Sequence, residues 1–335
     1  MEYRHKIMRG TVGVIINKAI RDIRSDPKRS IRNLADLGDN FSTSAAQKRF
    51  FSLAREILKN PDNPYNELIV NMIENVNTEA VYTMSLNFGY TSLNYGADIL
   101  REQEATLDKY IPWLLIFDFS AGNGKIPDFE QISSLISNAI SLGIYTLIFE
   151  IHHSLEGLTQ VLELCKKYKE CSFFAAVSPE ILFGPKEEKI VRTPNLVVSV
   201  DVTDPAAEKT ADTALHLLQG AKCFYGFHAY YNEENVKWLM SDQFKQQMIQ
   251  NGCLIGSYVN TDRNEEELED RMYRFVCTSR GKKGQPLFAM DFYRDISYIG
   301  NTISCGDYLH LDGNGSIIGL ATGLDQVVLG NLMKR

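Results

Sequence analysis

Carboxylates and imidazoles recur at the downstream ends of short apolar runs in this 335-residue chain. Asp118 and Ser120 follow Pro112–Phe117, Glu150 and His152 follow Tyr145–Phe149, Ser199 and Asp201 end Asn195–Asp201, and His228 with Tyr230 closes Cys223–Ala229. Carboxylate oxygens and imidazole nitrogens are the donor set of zinc and other divalent cations. A cation held that way lowers the pKa of a bound water enough to make it a nucleophile near neutral pH. Glu150, His152, Asp201 and His228 are the expected metal ligands, and Asp118 and Tyr230 complete the candidate pocket. Alternation by two along a strand puts Glu150 and His152 on one face, and Ser199 and Asp201 on one face. It turns His153 away from His152. A competing reading pairs the same groups internally, Glu150 with His228 for instance, as hydrogen-bonded polar residues of a semi-buried interior.

The elements that would carry these residues read as alternating strands and helices from Ile111 onward. Pro112–Phe117 is continuously apolar, as in a parallel strand buried on both faces. Strands are also expected at Tyr145–Glu150, Ser172–Val177, Asn195–Asp201, Cys223–Ala229 and Leu254–Val259. The intervening helices are Phe129–Leu142, closed by Gly143, then Leu155–Tyr168, Ala211–Leu218 and Ser241–Gln250, with Glu265–Thr278 after the sixth strand. Six βα units joined by short loops give an α/β chain: a partial TIM-like (β/α)6 barrel, with an open doubly wound sheet as the alternative.

Upstream, apolar stripes at Thr11–Arg24, Gln47–Leu58, Tyr65–Glu74 and Asp98–Glu104 predict a helical N-terminal preface over residues 1–105. The barrel then covers 106–284. Asp312-Gly313-Asn314-Gly315 between apolar flanks signals a hairpin, so 285–335 is expected as a small C-terminal β extension.

Charge is uneven. Residues 1–60 hold 13 Lys/Arg against 6 Asp/Glu, while the whole chain is −7. A basic preface on an acidic body could contact nucleic acid or an acidic partner. The alternative is a solvated helical face, because the basic residues interleave with Ile15, Ile16, Ile20 and Ile23. No apolar stretch approaches a membrane span and the start has no signal h-region, so a cytoplasmic location is expected. The six cysteines (165, 171, 223, 253, 277 and 305) are scattered with no metal-knuckle spacing, and disulfides are not expected in a reducing compartment. Gly122-Asn123-Gly124-Lys125 lacks the spacing of a phosphate loop, and Asp312–Ser316 lacks the acidic twelfth position of a calcium loop, where Gly323 stands.

Several segments resemble the radical SAM superfamily in its SPASM-type, peptide-modifying branch. They are Ile111-Pro112-Trp113 into the first strand, Ser120-Ala121 at its exit, Leu142–Tyr145, Leu164–Tyr168, and Pro286–Tyr293 running on to Tyr308–Gly315. Leu86–Tyr90 with Tyr95–Ala97 looks like that branch's helical preface. The resemblance covers roughly Trp113 to Gly323. It implies a loop after the first strand in which three thiolates hold a [4Fe-4S] cluster and leave one iron for S-adenosylmethionine. Here that degenerate cluster loop carries Gly122, Asn123 and Gly124, with Gly122 at the first thiolate position. Ile151-His152-His153 replaces a Gly-Gly-Glu cradle for the cofactor, Ser178-Pro179-Glu180 replaces an Asn-Gly turn, and the auxiliary-cluster cysteine after Gly319-Leu320-Ala321 is missing.

The expectation is a catalytically degenerate member, more a binding or scaffolding module than an enzyme. It has no [4Fe-4S] cluster by the standard motif and no S-adenosylmethionine. A peptide or protein partner is expected, and the aromatics around His228 and Tyr230 offer a stacking surface for such a ligand. A repurposed metal-dependent hydrolase and nucleic-acid binding through residues 1–60 are the alternatives. Sequence leaves the oligomeric state open.

Overall fold

The computed structural model describes residues 2–40, 45–60, 62–119, 128–184, 189–190, 192–260, 266–280, 282, 284–304, 306–312, 315–320, 328, 330 and 332. The preface is helical: α1 (Glu2–Ser25), α2 (Pro27–Asn40), α3 (Ala45–Lys59), α4 (Pro64–Asn75), α5 (Thr78–Met84), a π-helix at Ser85–Gly96 and α6 (Ala97–Leu107). All six expected strands form: β1 (Leu114–Asp118), β2 (Thr146–His152), β3 (Ser172–Val177), β4 (Leu196–Asp201), β5 (Tyr225–Tyr231) and β6 (Ile255–Asn260). Three more follow, β7 (Phe288–Asp291), β8 (Tyr308–Asp312) and β9 (Ile317–Leu320). The fold is α/β with a parallel-dominated sheet, matching a partial TIM-like barrel. No described helix is long and apolar enough to cross a membrane.

The chain divides into two compact units, one of Met1–Gly13, Tyr82–Val197 and Ile296–Arg335, the other of Val14–Val81 and Val198–Asp295. In the first, β1 is flanked by β2 on one side and β8 on the other, both parallel to it, and β3 continues the row beyond β2. β9 folds back antiparallel on β8. The C-terminal segment is therefore more than a hairpin set beside the barrel: β8 is a full parallel neighbour of β1, and β7 pairs in parallel with β6. The hairpin itself is present. Gly315 N–H donates to the Asp312 carbonyl at 2.9 Å and Ser316 N–H to Asp312 Oδ1 at 2.7 Å, while Gly313 and Asn314 lie outside the described residues.

Register sets which side chains share a face, because paired residues on parallel neighbours point the same way. One face of this unit carries Ile116, Ile148, Phe174 and His310 in one row, and Asp118, Glu150, Ala176 and Asp312 in the next. The π-helix covers its lower part. Phe88 meets Phe174 edge-on at 5.8 Å, and the Ser92 and Thr146 hydroxyls bond at 2.6 Å. Asn87 donates to the Lys169 and Cys171 carbonyls at 2.8 and 2.9 Å, which fixes the helix to the entrance of β3. Gly96 is required here, since a Cβ would overlap the Gly143 carbonyl. The opposite face holds the aromatic stack Phe117–Phe149–Phe173, with centroids 5.0 and 5.9 Å apart. Helices α7 (Phe129–Ser141) and α8 (Leu155–Lys167) bring buried stripes, Ile132, Leu135, Ile136 on one and Leu158, Val161, Leu162 on the other. Their starts are capped by Asp128 and Ser154, whose side chains accept from Glu130 and Gly157 N–H.

In the second unit β4, β5, β6 and β7 run parallel. Phe227, Phe244, Tyr258 and Phe275 form its aromatic core through edge-to-face contacts, such as Phe227–Tyr258 at 5.8 Å and Tyr258–Phe275 at 5.9 Å. Gly226 lies where any Cβ would overlap the Ile255 carbonyl. Several basic residues of the preface are taken up internally: Arg55 bridges Asp36 and Asp39 at 2.8 Å each, and Arg24 donates to Thr78 Oγ1 at 2.7 Å.

Phe149 is fully buried between two stacked rings. Phe149→Ala should therefore cost about 3–5 kcal/mol in urea unfolding. A loss under about 1 kcal/mol would show that this stack does not hold the first unit together.

Candidate functional site

β1 and β2 end in register at Asp118 and Glu150, so two carboxylates project from adjacent strands on one face. β2 then departs from regular pleating. Its pairing with β3 shifts between Glu150 and His152, and His152 takes a left-handed φ of 50°. Strict alternation, which put Glu150 and His152 on one face, fails at this bulge. Glu150 and His152 nonetheless come together as expected: an oxygen of Asp118, an oxygen of Glu150 and a ring nitrogen of His152 all lie within 4.8 Å of one another. A left-handed non-glycine residue costs on the order of 1–2 kcal/mol, and such conformations concentrate at functional sites. His153 points away, 81% exposed, with Nδ1 3.8 Å from Glu180.

His310, which the sequence reading overlooked, belongs to this group. It lies on β8, one row below Asp118, and reaches past β1 to bring Nε2 within 3.2 Å of Glu150 Oε2. Both residues are 8% exposed. Glu150 thus takes His310 as its imidazole neighbour, in place of the expected His228. The signal was its position two residues before Asp312 in an alternating strand, but that strand was assigned to an appendage, away from β1.

The other expected residues belong to the second unit. Asp201 and His228 are register partners on β4 and β5. Asp201 Oδ1 accepts from Thr203 N–H at 2.9 Å, closing the turn that leaves the strand, and His228 Nδ1 lies 3.1 Å from Ser199 Oγ. Tyr230 meets His228 edge-on at 5.4 Å, so the two share a face as alternation requires.

A further acid stands at the end of β7. Asp291 is 1% exposed and accepts from Tyr231 Oη at 3.2 Å. Burial is the main cause that pushes its carboxyl up to about 6, with Glu269 adding repulsion against the lowering effect of the Arg294 N–H bond. Its neighbour Asp295 accepts from Asp291 N–H at 2.9 Å and pairs with Arg280. Sequence hid Asp291 inside the apolar run Pro286–Phe292.

Ser120 and the loop residues Gly122, Asn123 and Gly124 lie outside the described residues. Among described cysteines, Cys171 directly precedes β3, Cys223 and Cys253 stand two residues before β5 and β6, and Cys165 lies near the end of α8. Burial raises the thiol pKa of Cys165, Cys171 and Cys253, which keeps them protonated. Cys277 is exposed on the helix Glu266–Ser279, and Cys305 lies outside the described residues.

No protein-family model matches the sequence, and no curated protein matches it. Among solved structures the chain is similar to SuiB of Streptococcus suis, with a TM-score of 0.50 at 8% identity over 88% of this chain and 72% of that one. SuiB bound to S-adenosylmethionine gives 0.49 at 10% identity over 69% and 65%, and SuiB bound to its precursor peptide SuiA gives 0.48 at 8% identity over 70% and 64%. The chain thus spans just under two thirds of the length of SuiB in these last two structures. The first likeness supports a radical-SAM-like fold, and the fold alone.

Asp291 makes a signed pH prediction. Between the unfolded carboxyl value and about 6 the folded chain holds a proton that the unfolded chain has released. Its contribution is therefore complete at low pH and fades as pH rises through about 6, a loss of roughly 3 kcal/mol. Relative to wild type, Asp291→Asn should gain about that much stability from pH 4 to pH 7 in urea titrations. A difference that stays constant with pH would contradict the assignment.

Proposed function

We propose that this is a radical-SAM-like barrel that performs no radical chemistry through the three-thiolate motif and serves as a binding or scaffolding module for a peptide or partner protein. The placement of its sulfur supports this most directly. A [4Fe-4S] cluster needs neighbouring thiolates at the exit of β1. The sequence from Phe119 to Pro127 contains no cysteine. The described thiols at Cys171, Cys223 and Cys253 sit at the amino ends of their strands, whereas Asp118 stands at the carboxyl end of β1. These residues do not fit the cluster, and S-adenosylmethionine loses the open iron that would anchor it. The carboxyl ends in the first unit carry oxygen and nitrogen donors instead.

The edge of the sheet supports an extended partner. β9 is the last strand of its sheet among the described residues, and its Ile317 and Ile318 are exposed. An apolar edge strand accepts a further strand, main-chain bonds giving affinity and side-chain pockets selectivity.

Anaerobic reconstitution with iron and sulfide tests the lost chemistry: the expected product is colourless and leaves S-adenosylmethionine intact. A stable brown protein that cleaves the cofactor would overturn the reading. Docking is tested by selecting peptides from a displayed random library on the full chain. Enriched peptides should be β-prone and lose at least tenfold in affinity on Ile318→Lys, about 1.4 kcal/mol. No enrichment, or binding indifferent to Ile318, would defeat the docking claim.

A further inference from the structure

We infer that Asp118, Glu150 and His152 form a binding site for a divalent cation, zinc in preference to manganese, with His310 as the residue that positions the Glu150 carboxylate. The inference is independent of peptide docking, since either can fail without the other. The first observation is the convergence of one atom from each residue within 4.8 Å. A cation with bonds of about 2.0–2.2 Å draws its ligand atoms to roughly 3–3.5 Å of one another. Binding then closes these separations by no more than about 1.8 Å, within reach of side-chain rotation.

The second observation is His310. Its side chain is nine-tenths buried and Nε2 is aimed at Glu150 Oε2 from 3.2 Å, yet the nitrogen makes no aligned hydrogen bond. Burying a carboxylate costs several kcal/mol unless its charge and lone pairs are met. The buried atom left without a hydrogen bond is His310 Nε2, and a cation on the same carboxylate meets the buried charge. With the cation in place, His310 turns its N–H onto the outer oxygen and fixes the orientation of the ligating carboxylate. Gly319 faces the His310 ring at its Cβ and Nδ1, at 3.2 and 3.5 Å from where a Cβ would stand, so a side chain there would crowd the histidine.

The third is the backbone at His152. A register shift and a left-handed φ of 50° mark the residue whose ring meets the two carboxylates. Two oxygens and one nitrogen without sulfur suit zinc or manganese rather than copper(I) or an iron–sulfur centre, and the usual affinity order favours zinc. Three protein ligands leave coordination positions for water.

The test is calorimetric titration of the full chain, stripped with chelator, with zinc chloride and separately with manganese chloride. One zinc per chain is expected, bound more tightly than manganese. His152→Asn removes the imidazole while keeping a residue at ease in the left-handed region, and should weaken zinc at least tenfold, as should Glu150→Gln. His310→Ala should weaken it about 10–100-fold. His310→Gln, which restores a donor to Glu150, should recover most of that loss, a rescue that a merely space-filling role would not show. His153→Ala, on the exposed neighbour, should bind as wild type. Thermal melts on the same samples give a second readout, zinc raising the midpoint of wild type but not of Glu150→Gln. No saturable zinc binding by wild type, retention of full affinity in His152→Asn and Glu150→Gln, or equal loss in His153→Ala would each overturn the site.

Discussion

Parallel pairing of β1 with a neighbour on each side is the constraint on which the first unit depends. It fixes Asp118 between Glu150 and Asp312 in one row, and Ile116 between Ile148 and His310 in the row below. Every main-chain donor and acceptor along β1 is thereby committed, so these rows cannot slip. A shift of one residue would exchange the polar face for the aromatic one that carries Phe117 and Phe149. The π-helix at Ser85–Gly96 then covers the lower rows, with Phe88 on Phe174 and Ser92 on Thr146. The ionisable groups Asp118, Glu150 and His310 of this face thus stand toward the carboxyl ends, where barrel-type folds collect their functional groups.

Within that frame the site departs from regularity at one position. Glu150 obeys the register, while His152 stands past a register shift in β2 with a left-handed φ, its imidazole beside the two carboxylates. Strain of that kind persists where the surrounding structure over-determines it. Here the α8 cap at Ser154 and the Ser178 N–H bond to the His152 carbonyl, at 3.0 Å, hold both sides of the bulge. Among the described residues, Cys171 and Cys253 are buried, protonated thiols next to strand entrances. The chain has a radical-SAM-like fold, and the exits of β1 and β2 carry oxygen and nitrogen donors.

Much of this was legible in the sequence. The continuous apolar run Pro112–Phe117 could only be a strand buried on both faces, and Gly143 marked the end of α7, where it adopts φ 97°. Asp118, Glu150 and His152 were readable as strand-end polar residues because parallel strands place such residues by length alone. Their true partner was not. His310 lies 160 residues after Glu150, and nothing local says that the strand bearing it inserts beside β1. The tight Asp312–Ser316 turn dominated that region and made it read as an isolated hairpin. Asp291 escaped for a similar reason: one acid in an apolar run shows its burial only once Tyr231 and Arg294 are seen around it. The bulge at His152 had no signal, since neither glycine nor asparagine marks the left-handed position.

The most direct measurement is X-ray absorption at the edge of whatever metal accompanies the full chain purified without chelator. A first shell of nitrogen and oxygen alone at about 2.0–2.1 Å, with imidazole scattering behind it, is the predicted result. Sulfur scatterers at about 2.3 Å, or iron–iron vectors of a cluster, would show that cysteines converge on the metal and would contradict the account.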